Sequence, residues 1–598
     1  MVSISASRPP APAGASGRGR PHGNPRNTEL RLLLLALVAV AGYAAVVEMH
    51  VLETVTATFW VPVVVLAAIF IGAHIGVRLL APHADPVLLP SVALLNGIGV
   101  AFLRRLDLAR TDPAERIELP ALSGIGGQQL IWTLLAVTAA VVLLALVRDH
   151  RVISRYAWTL GLVGLILMII PGLLPASISA SEYDEAAKQW IRIGPFSIQP
   201  GEFAKLALAG FFAYYLVRKR EVLSLASRRV LGIGLPRGRD LGPVIVVWML
   251  SMLVLVWQFD LGMSLTYLGL FVAMLYIATE RVSWLIIGFL LFSGGAVTAY
   301  ILGHAFGGPF RNLANRVDIW LDPFAEPHGL GYQPVQGLLS LGTGGLFGTG
   351  PGGGQPTQVP EVHNDYIFAG IGEEIGLFGL TALLVLYLLI VTRGIKAGLL
   401  VRDSFGKLLA GGLVFTFGLQ IFVILGGVGG LIPLTGLTTP FMSAGGSSLA
   451  SNWLLIAVLL RISDAARGPA TPSAPGGVLP PPVAVQASWV SQPEPATEAV
   501  AAREAATEAV AAPEPATEAA AAREQPAAPD DEPHESAPAP AEESTEDTSA
   551  EAASPAEEST EDTSAEGASP AEAITESEAT TEAPTENPPG RTPGGERT

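Results

Sequence analysis

Glu361, His363 and Asp365 stand at alternate positions in VPEVHNDYIFAGIGEEIG (359–376), at the entrance to a long apolar run. Ionisable side chains in such a place are costly, which makes them functional candidates by default. In an extended backbone the three share one face and could hold a divalent cation such as Mg or Mn. Asp365 also has a plainer use, because a carboxylate just ahead of a helix is favoured by the free N–H groups and the helix dipole. A second pair, Glu202 and Lys205, sits three residues apart after QPG and therefore on one helical face. It reads either as a self-compensating buried ion pair or as part of a site. The run GTGGLFGTGPGGG (342–354) frees the backbone to approach a ligand or a neighbouring segment closely. It lacks the Lys-Ser/Thr ending and the preceding strand of a nucleotide-binding loop, so nucleotide chemistry is not expected.

The elements that must position these residues belong in lipid. Half of the 598 residues are apolar, 15% are charged and the mean hydropathy is +0.45. A soluble globular chain of this size does not show that balance. Over apolar runs of ~20 residues, the helix is the element that satisfies its own backbone polar groups in hydrocarbon. The expected fold class is an all-α polytopic membrane protein of about twelve transmembrane helices. They are predicted near 31–49, 59–81, 86–104, 128–147, 155–175, 201–217, 243–258, 261–279, 283–303, 366–392, 405–430 and 440–461. Lys and Arg gather before the first run and around 148–151, 218–239 and 393–407. Basic connections are retained in the cytoplasm, which predicts cytoplasmic termini and puts 105–127, 176–200 and 304–365 on the extracellular side of a plasma membrane. The last is a large loop, and loops that long carry function or disorder. The first apolar run lacks a small-residue cleavage site and is expected to stay as a helix. The absence of cysteine excludes disulfides, thiolate metal sites and thiol nucleophiles.

The charge divides sharply along the chain. Residues 468–598 hold 27 acids and 4 arginines, net −23, whereas residues 1–467 hold 26 acids and 32 bases, net +6. The acidic segment is rich in Ala, Glu, Thr, Pro and Ser, and AEESTEDTSAEAASP (541–555) recurs as AEESTEDTSAEGASP (556–570). It has too few large apolar residues to offset the entropy of ordering, so a disordered cytoplasmic spacer is expected.

Taken in order, six segments resemble the SEDS family (FtsW/RodA/SpoVE), the shape, elongation, division and sporulation proteins. They are WIRIGPFSIQPGEFAKLAL (190–208), FDLGMSL (259–265), WLDPF (320–324), GYQPVQGLLSLGTGGLFGTG (331–350), VPEVHNDYIFAGIGEEIG (359–376) and PLTGLTTPFMSAGGSSL (433–449). LLPSVALLNGIGV (88–100) and RDSFGKLLAGGL (402–413) are more similar to the RodA type of actinobacteria than to the FtsW type. The Pro/Gly/Arg-rich composition of 1–28 predicts a disordered basic cytoplasmic arm. The resemblance implies a ten-helix core over 86–465 and two added helices over 29–85. It also implies a peptidoglycan glycosyltransferase that polymerises lipid II and releases undecaprenyl pyrophosphate, serving elongation, cell shape and division.

Within that resemblance Asp365 matches the Asp of the (T/N)D(F/Y)IFA motif and is the candidate catalytic base, with His363 as a neighbour that could assist. Glu202 and Lys205 match a pair that family members use in a central cavity. Arg192 and Arg316, on the outer side, are candidate clamps for pyrophosphate, since guanidinium pairs bidentately with phosphate oxygens. Gln333 and Gln336 could hydrogen-bond sugar or peptide groups. Ser443 and Ser447 lie in PFMSAGGSSL, where substrate contact competes with small-residue helix packing. Gln189, Thr349 and Ala444 depart from residue types common in the family. The implied partners are lipid II, membrane lipids and a class B penicillin-binding protein, with no nucleic acid. A lipid II flippase is the alternative, but no internal repeat of broken helices is visible. A non-catalytic scaffold for the transpeptidase would leave the glycine-rich polar loop unexplained.

Overall fold

The computed structural model describes residues 24–179, 188–194, 196–224, 228–230, 233–235, 238–258 and 260–469. The basic arm before residue 24 and the acidic segment from residue 470 lie outside the described residues, and with them the expectations of disorder. Sixteen α-helices stand among the described residues. They are α1 (Pro25–Leu52), α2 (Trp60–Leu80), α3 (Leu88–Arg110), α4 (Gly124–Leu146), α5 (Arg151–Arg155), α6 (Ala157–Leu173), α7 (Ala176–Ser179) and α8 (Pro200–Ser224). There follow α9 (Gly238–Trp257), α10 (Leu261–Thr279), α11 (Ser283–Phe306), α12 (Arg311–Leu321), α13 (Tyr332–Gly344), α14 (Ile367–Leu400), α15 (Ser404–Val428) and α16 (Gly446–Arg467). Two short antiparallel hairpins, β1 (Ile191–Ile193) with β2 (Phe196–Ile198) and β3 (Arg228–Val230) with β4 (Ile233–Leu235), interrupt an otherwise helical chain.

Each of the twelve expected segments falls on a helix, and among the described residues eight helices are long and apolar enough to cross a membrane. The protein is a multi-pass membrane protein. Several bounds differ from expectation for identifiable reasons. Helix α1 starts at Pro25, with Asn24 Oδ1 accepting the Arg26 N–H at 3.0 Å, so residues 25–28 belong to the helix and not to the arm. Proline suits a first helical position because its missing N–H would be unpaired there anyway. Helix α3 continues to Arg110 because Arg104 and Arg105 are buried and donate to loop carbonyls, at 2.9 Å to Leu119 and 2.8 Å to Gly354.

The largest departure is in α14, expected as one continuous span. Gly376 breaks it with φ 65° and ψ −174°, a conformation essentially restricted to glycine. The glycine-rich run packs into the break. Thr349 and Gly350 donate N–H groups to the Glu373 and Glu374 carbonyls at 2.9 and 3.0 Å, and Leu377 and Phe378 donate to Gly345 and Leu346 at 3.0 and 3.1 Å. Backbone groups freed inside a membrane protein need such internal partners. Of the two uses read for the glycines, this is close approach to a neighbouring segment.

A ladder of rings from Phe368 through Tyr387, Phe417 and Phe441 to Trp453, with centroids 5.9 to 6.1 Å apart, ties α14, α15 and α16 together. At one end of the bundle, Arg461 of α16 donates to the carbonyls of Leu80 (2.8 Å) and Val147 (2.7 Å), and Arg467 pairs with Asp85. His150 meets Asp403 at 2.7 Å on the same end. These contacts pin the ends of α2, α4, α15 and α16.

Candidate active site

The opposite end of the bundle holds a cavity of about 1290 Å³. Its wall is built by the start of α4 (Gln128, Gln129, Trp132), the β1–β2 hairpin (Arg192, Ser197), α12 (Asn312, Asn315, Arg316, Trp320), α13 (Gln333, Leu338), residues 360–366 and the connection from α15 to α16. Large apolar side chains and polar groups alternate around it, as in sites that seat an amphipathic ligand.

Asp365 lies on this wall just before α14. Tyr366 occupies the cap position and no side chain caps the helix, so Asp365 is not an N-cap. Its Oδ1 is buried without a hydrogen-bond partner. Burial pushes the carboxyl up to about 7, against the opposing pull of its own N–H, the Arg316 charge and the Tyr366 N–H, while Glu361 adds to the rise. A carboxylate poised near neutrality is suited to take a proton in catalysis.

Arg316 enters the same cavity from α12, its Nη1 fixed by the Leu434 carbonyl at 2.8 Å. Its charge acts on both Asp365 and Asp260, the N-cap of α10. Arg192 lines the cavity from β1 and is exposed. Gln333 lines it too, its Nε2 donating to the Pro360 carbonyl at 3.3 Å. His363 also lines the wall, with Nε2 at 3.8 Å from the Glu361 carboxylate.

The alternating trio does not behave as an extended segment. Glu361 has φ 53° and its carbonyl accepts the Asn364 N–H at 2.9 Å, forming a turn. Among the described residues no three His, Cys, Asp or Glu side chains gather as a metal-ligand group, although Glu361, His363 and Asp365 all line the cavity.

Other predicted residues lie outside the wall. Glu202 and Lys205 are buried and joined at 2.6 Å; Ser451 donates to Glu202 at 2.7 Å and Lys205 donates to Gln420 at 3.1 Å. Gln420 in turn donates to the carbonyl of Thr438, which does line the cavity, at 3.0 Å. The Ser443 hydroxyl accepts the Thr439 N–H at 2.9 Å and donates to the Asn364 carbonyl, next to Asp365. Ser447 accepts the Gln199 N–H at 2.8 Å. Both serines organise backbone around the site instead of facing it. Gln336 is half-buried on α13 and is not part of the wall. Sequence reasoning missed Gln129, Trp132 and Asn315, and noted Trp320 only as part of WLDPF. Gln129 holds the Ser443 carbonyl at 2.8 Å and Trp320 the Gly430 carbonyl at 2.9 Å. The only trace of the first two was a polar pair, Gln128–Gln129, at the head of an apolar run.

A polytopic helical bundle with a polar cavity at one end, lined by a perturbed carboxylate and two arginines, defines a membrane enzyme class acting on an amphipathic substrate. The FtsW/RodA/SpoVE cell cycle protein family matches residues 87–468, and the chain belongs to it. It is 46% identical over 444 residues to the peptidoglycan glycosyltransferase RodA of Mycobacterium tuberculosis (strain H37Rv), a match covering 74% of this chain and 92% of that protein. Identity to the Mycobacterium leprae peptidoglycan glycosyltransferase RodA is 44%, over 74% of this chain and 91% of the relative. The stage V sporulation protein E of Bacillus subtilis is 33% identical over 51% of this chain and 76% of its own length. Among solved structures, a chain from a peptidoglycan synthase complex has TM-score 0.41 and 24% identity, over 68% of this chain and 97% of its own. The Thermus thermophilus rod shape determining protein RodA has TM-score 0.34 and 22% identity, over 68% and 96%.

Proposed function

We propose that the chain is a peptidoglycan glycosyltransferase that polymerises lipid II, with Asp365 as general base. The observation that carries this reading is the Asp365 carboxyl: raised to about 7, one oxygen unpartnered, on the wall of the cavity of about 1290 Å³. In the reaction an acceptor sugar hydroxyl gives its proton to Asp365 as its oxygen bonds to the anomeric carbon of the donor. The bond from that carbon to the lipid pyrophosphate breaks, and the pyrophosphate leaves with the electron pair. Arg316 and Arg192 supply positive charge where that anion develops. Trp132, Trp320 and Leu338 offer apolar surface to the substrate. A divalent cation brought by the pyrophosphate would add to the same charge stabilisation.

The pinned end of the bundle, where basic connections gather, is read as cytoplasmic, which puts the cavity on the extracellular side. The natural partner of a strand polymerase is a transpeptidase that cross-links its product, here a class B penicillin-binding protein packed against the small residues of α14 and α15. Purified protein incubated with lipid II tests the reading. Glycan strands support it, lipid movement without polymer indicates a flippase, and neither outcome leaves only a scaffold.

A further inference from the structure

Helices α1 and α2 precede the span matched by the family, which begins at residue 87, yet α1 reaches the segment that leads into Asp365. We propose that Tyr43 is a positioning residue: its hydroxyl locks Glu374 and, through Glu374 and Arg105, fixes the glycine-rich run beside the broken α14. The N-terminal helix pair is then a functional part of the site and not a passive anchor. What the positioning serves rests on the glycosyltransferase reading; the lock itself does not.

Tyr43 donates its hydroxyl to Glu374 Oε2 at 2.9 Å, and Arg105 Nε lies 3.2 Å from the other oxygen. Glu374 is fully buried. Arg105 Nη2 donates to the carbonyls of Gly352 and Gly354 at 3.0 and 2.8 Å. The adjacent Glu373 accepts the Gln355 N–H at 2.9 Å and the Ser340 hydroxyl at 3.0 Å. The last turn of α1 touches the same run, since a Cβ on Gly352 would lie 3.0 Å from His50 Cβ and 3.2 Å from the Val47 carbonyl. Two adjacent carboxylates and one arginine thus hold residues 352–355, ten residues before Asp365. Glu374 Oε1 meets Arg105 only as an ion pair, without a hydrogen bond, so the Tyr43 hydroxyl bond to Oε2 matters the more, and Arg105 is already shared with two carbonyls. Without the Tyr43 hydroxyl, Oε2 competes for Arg105, and the two glycine carbonyls lose their donor. An anchor helix would require only apolar contact with α3.

Tyr43→Phe in the full chain tests this while keeping the ring. Amide exchange at Thr349, Gly350 and Gln355 should rise at least about 10-fold, the loss expected for one buried hydrogen bond to a charge. The kcat for lipid II polymerisation should fall about 5- to 10-fold with KM within about twofold, because only alignment is disturbed. On a Glu374→Gln background the same change should add little, since the two act through one contact. Unchanged exchange overturns the proposal, as does faster exchange with unchanged kcat, or full additivity with Glu374→Gln. If the unmodified protein makes no glycan, the glycosyltransferase reading fails, and exchange with the double variant still decides the lock.

Discussion

Glu202 and Lys205 meet at 2.6 Å, three residues apart on α8, and neither side chain lines the cavity that holds Asp365. Each side chain is about 2% exposed, and Ser451 and Gln420 complete their hydrogen bonding. The pair therefore supports the site from beneath its wall. Glu202→Gln strands a buried ammonium and should destabilise the protein by about 3–5 kcal/mol, whereas replacing both residues by apolar ones of similar volume should restore most of it. Thermal unfolding of the two variants in one detergent makes the comparison. A single variant as stable as the parent would show that the pair carries no structural weight.

The pH dependence follows from Asp365. A base must be ionised to accept a proton, and this carboxyl is raised to about 7 by burial. Activity should therefore climb as pH rises through about 7, where an ordinary carboxylate would already be fully ionised and give a flat profile. Arg316 pulls the value down, so Arg316→Gln should shift the rising limb to higher pH as well as weaken pyrophosphate contact. A pH–rate profile of kcat/KM for both proteins reads the limb directly; a limb near pH 4 would show that burial does not raise the carboxyl.

Much of this arrangement was legible in the sequence. The twelve apolar segments mark helices because hydrocarbon leaves the backbone no other partner. Asp365, His363, Arg192 and Gln333, drawn from three separated motifs, line one cavity together with Arg316, which lies outside the motifs. Three things were hidden because hydropathy and spacing carry no φ angles and no long-range partners. The break at Gly376 looks like any glycine in an apolar run, and the turn at Glu361 looks like an extended alternation until its φ of 53° is known. The roles of Ser443 and Ser447 depend on backbone atoms at Asn364, Thr439 and Gln199, which no local pattern announces.

The break in α14 gives a stability test. A Cβ at residue 376 would sit 2.3 Å from the Gly348 nitrogen in a backbone conformation closed to other residues. Gly376→Ala should destabilise by at least about 2 kcal/mol. Gly342→Ala, with nothing within 4 Å of the added atom, should stay within about 0.5 kcal/mol of the parent. Chemical denaturation of both variants gives the contrast, and equal stabilities would mean that the loop and the broken helix are not tightly engaged.

The acidic segment should be dispensable for polymerisation. Arg467, paired with Asp85, closes α16, and truncation after it leaves that contact intact. A chain ending at residue 467 should make glycan within about twofold of the full chain. A truncated protein that inserts normally and makes none would assign the segment a part in the reaction.

The central claim is that Asp365 takes the acceptor proton, and lipid II polymerisation by purified Asp365→Asn at matched protein level tests it most directly. Asparagine keeps the size and much of the hydrogen-bonding shape of the side chain but cannot accept the proton, so a folded variant with activity lower by at least ~10²-fold is expected. Glycan synthesis at the parent rate would contradict the assignment.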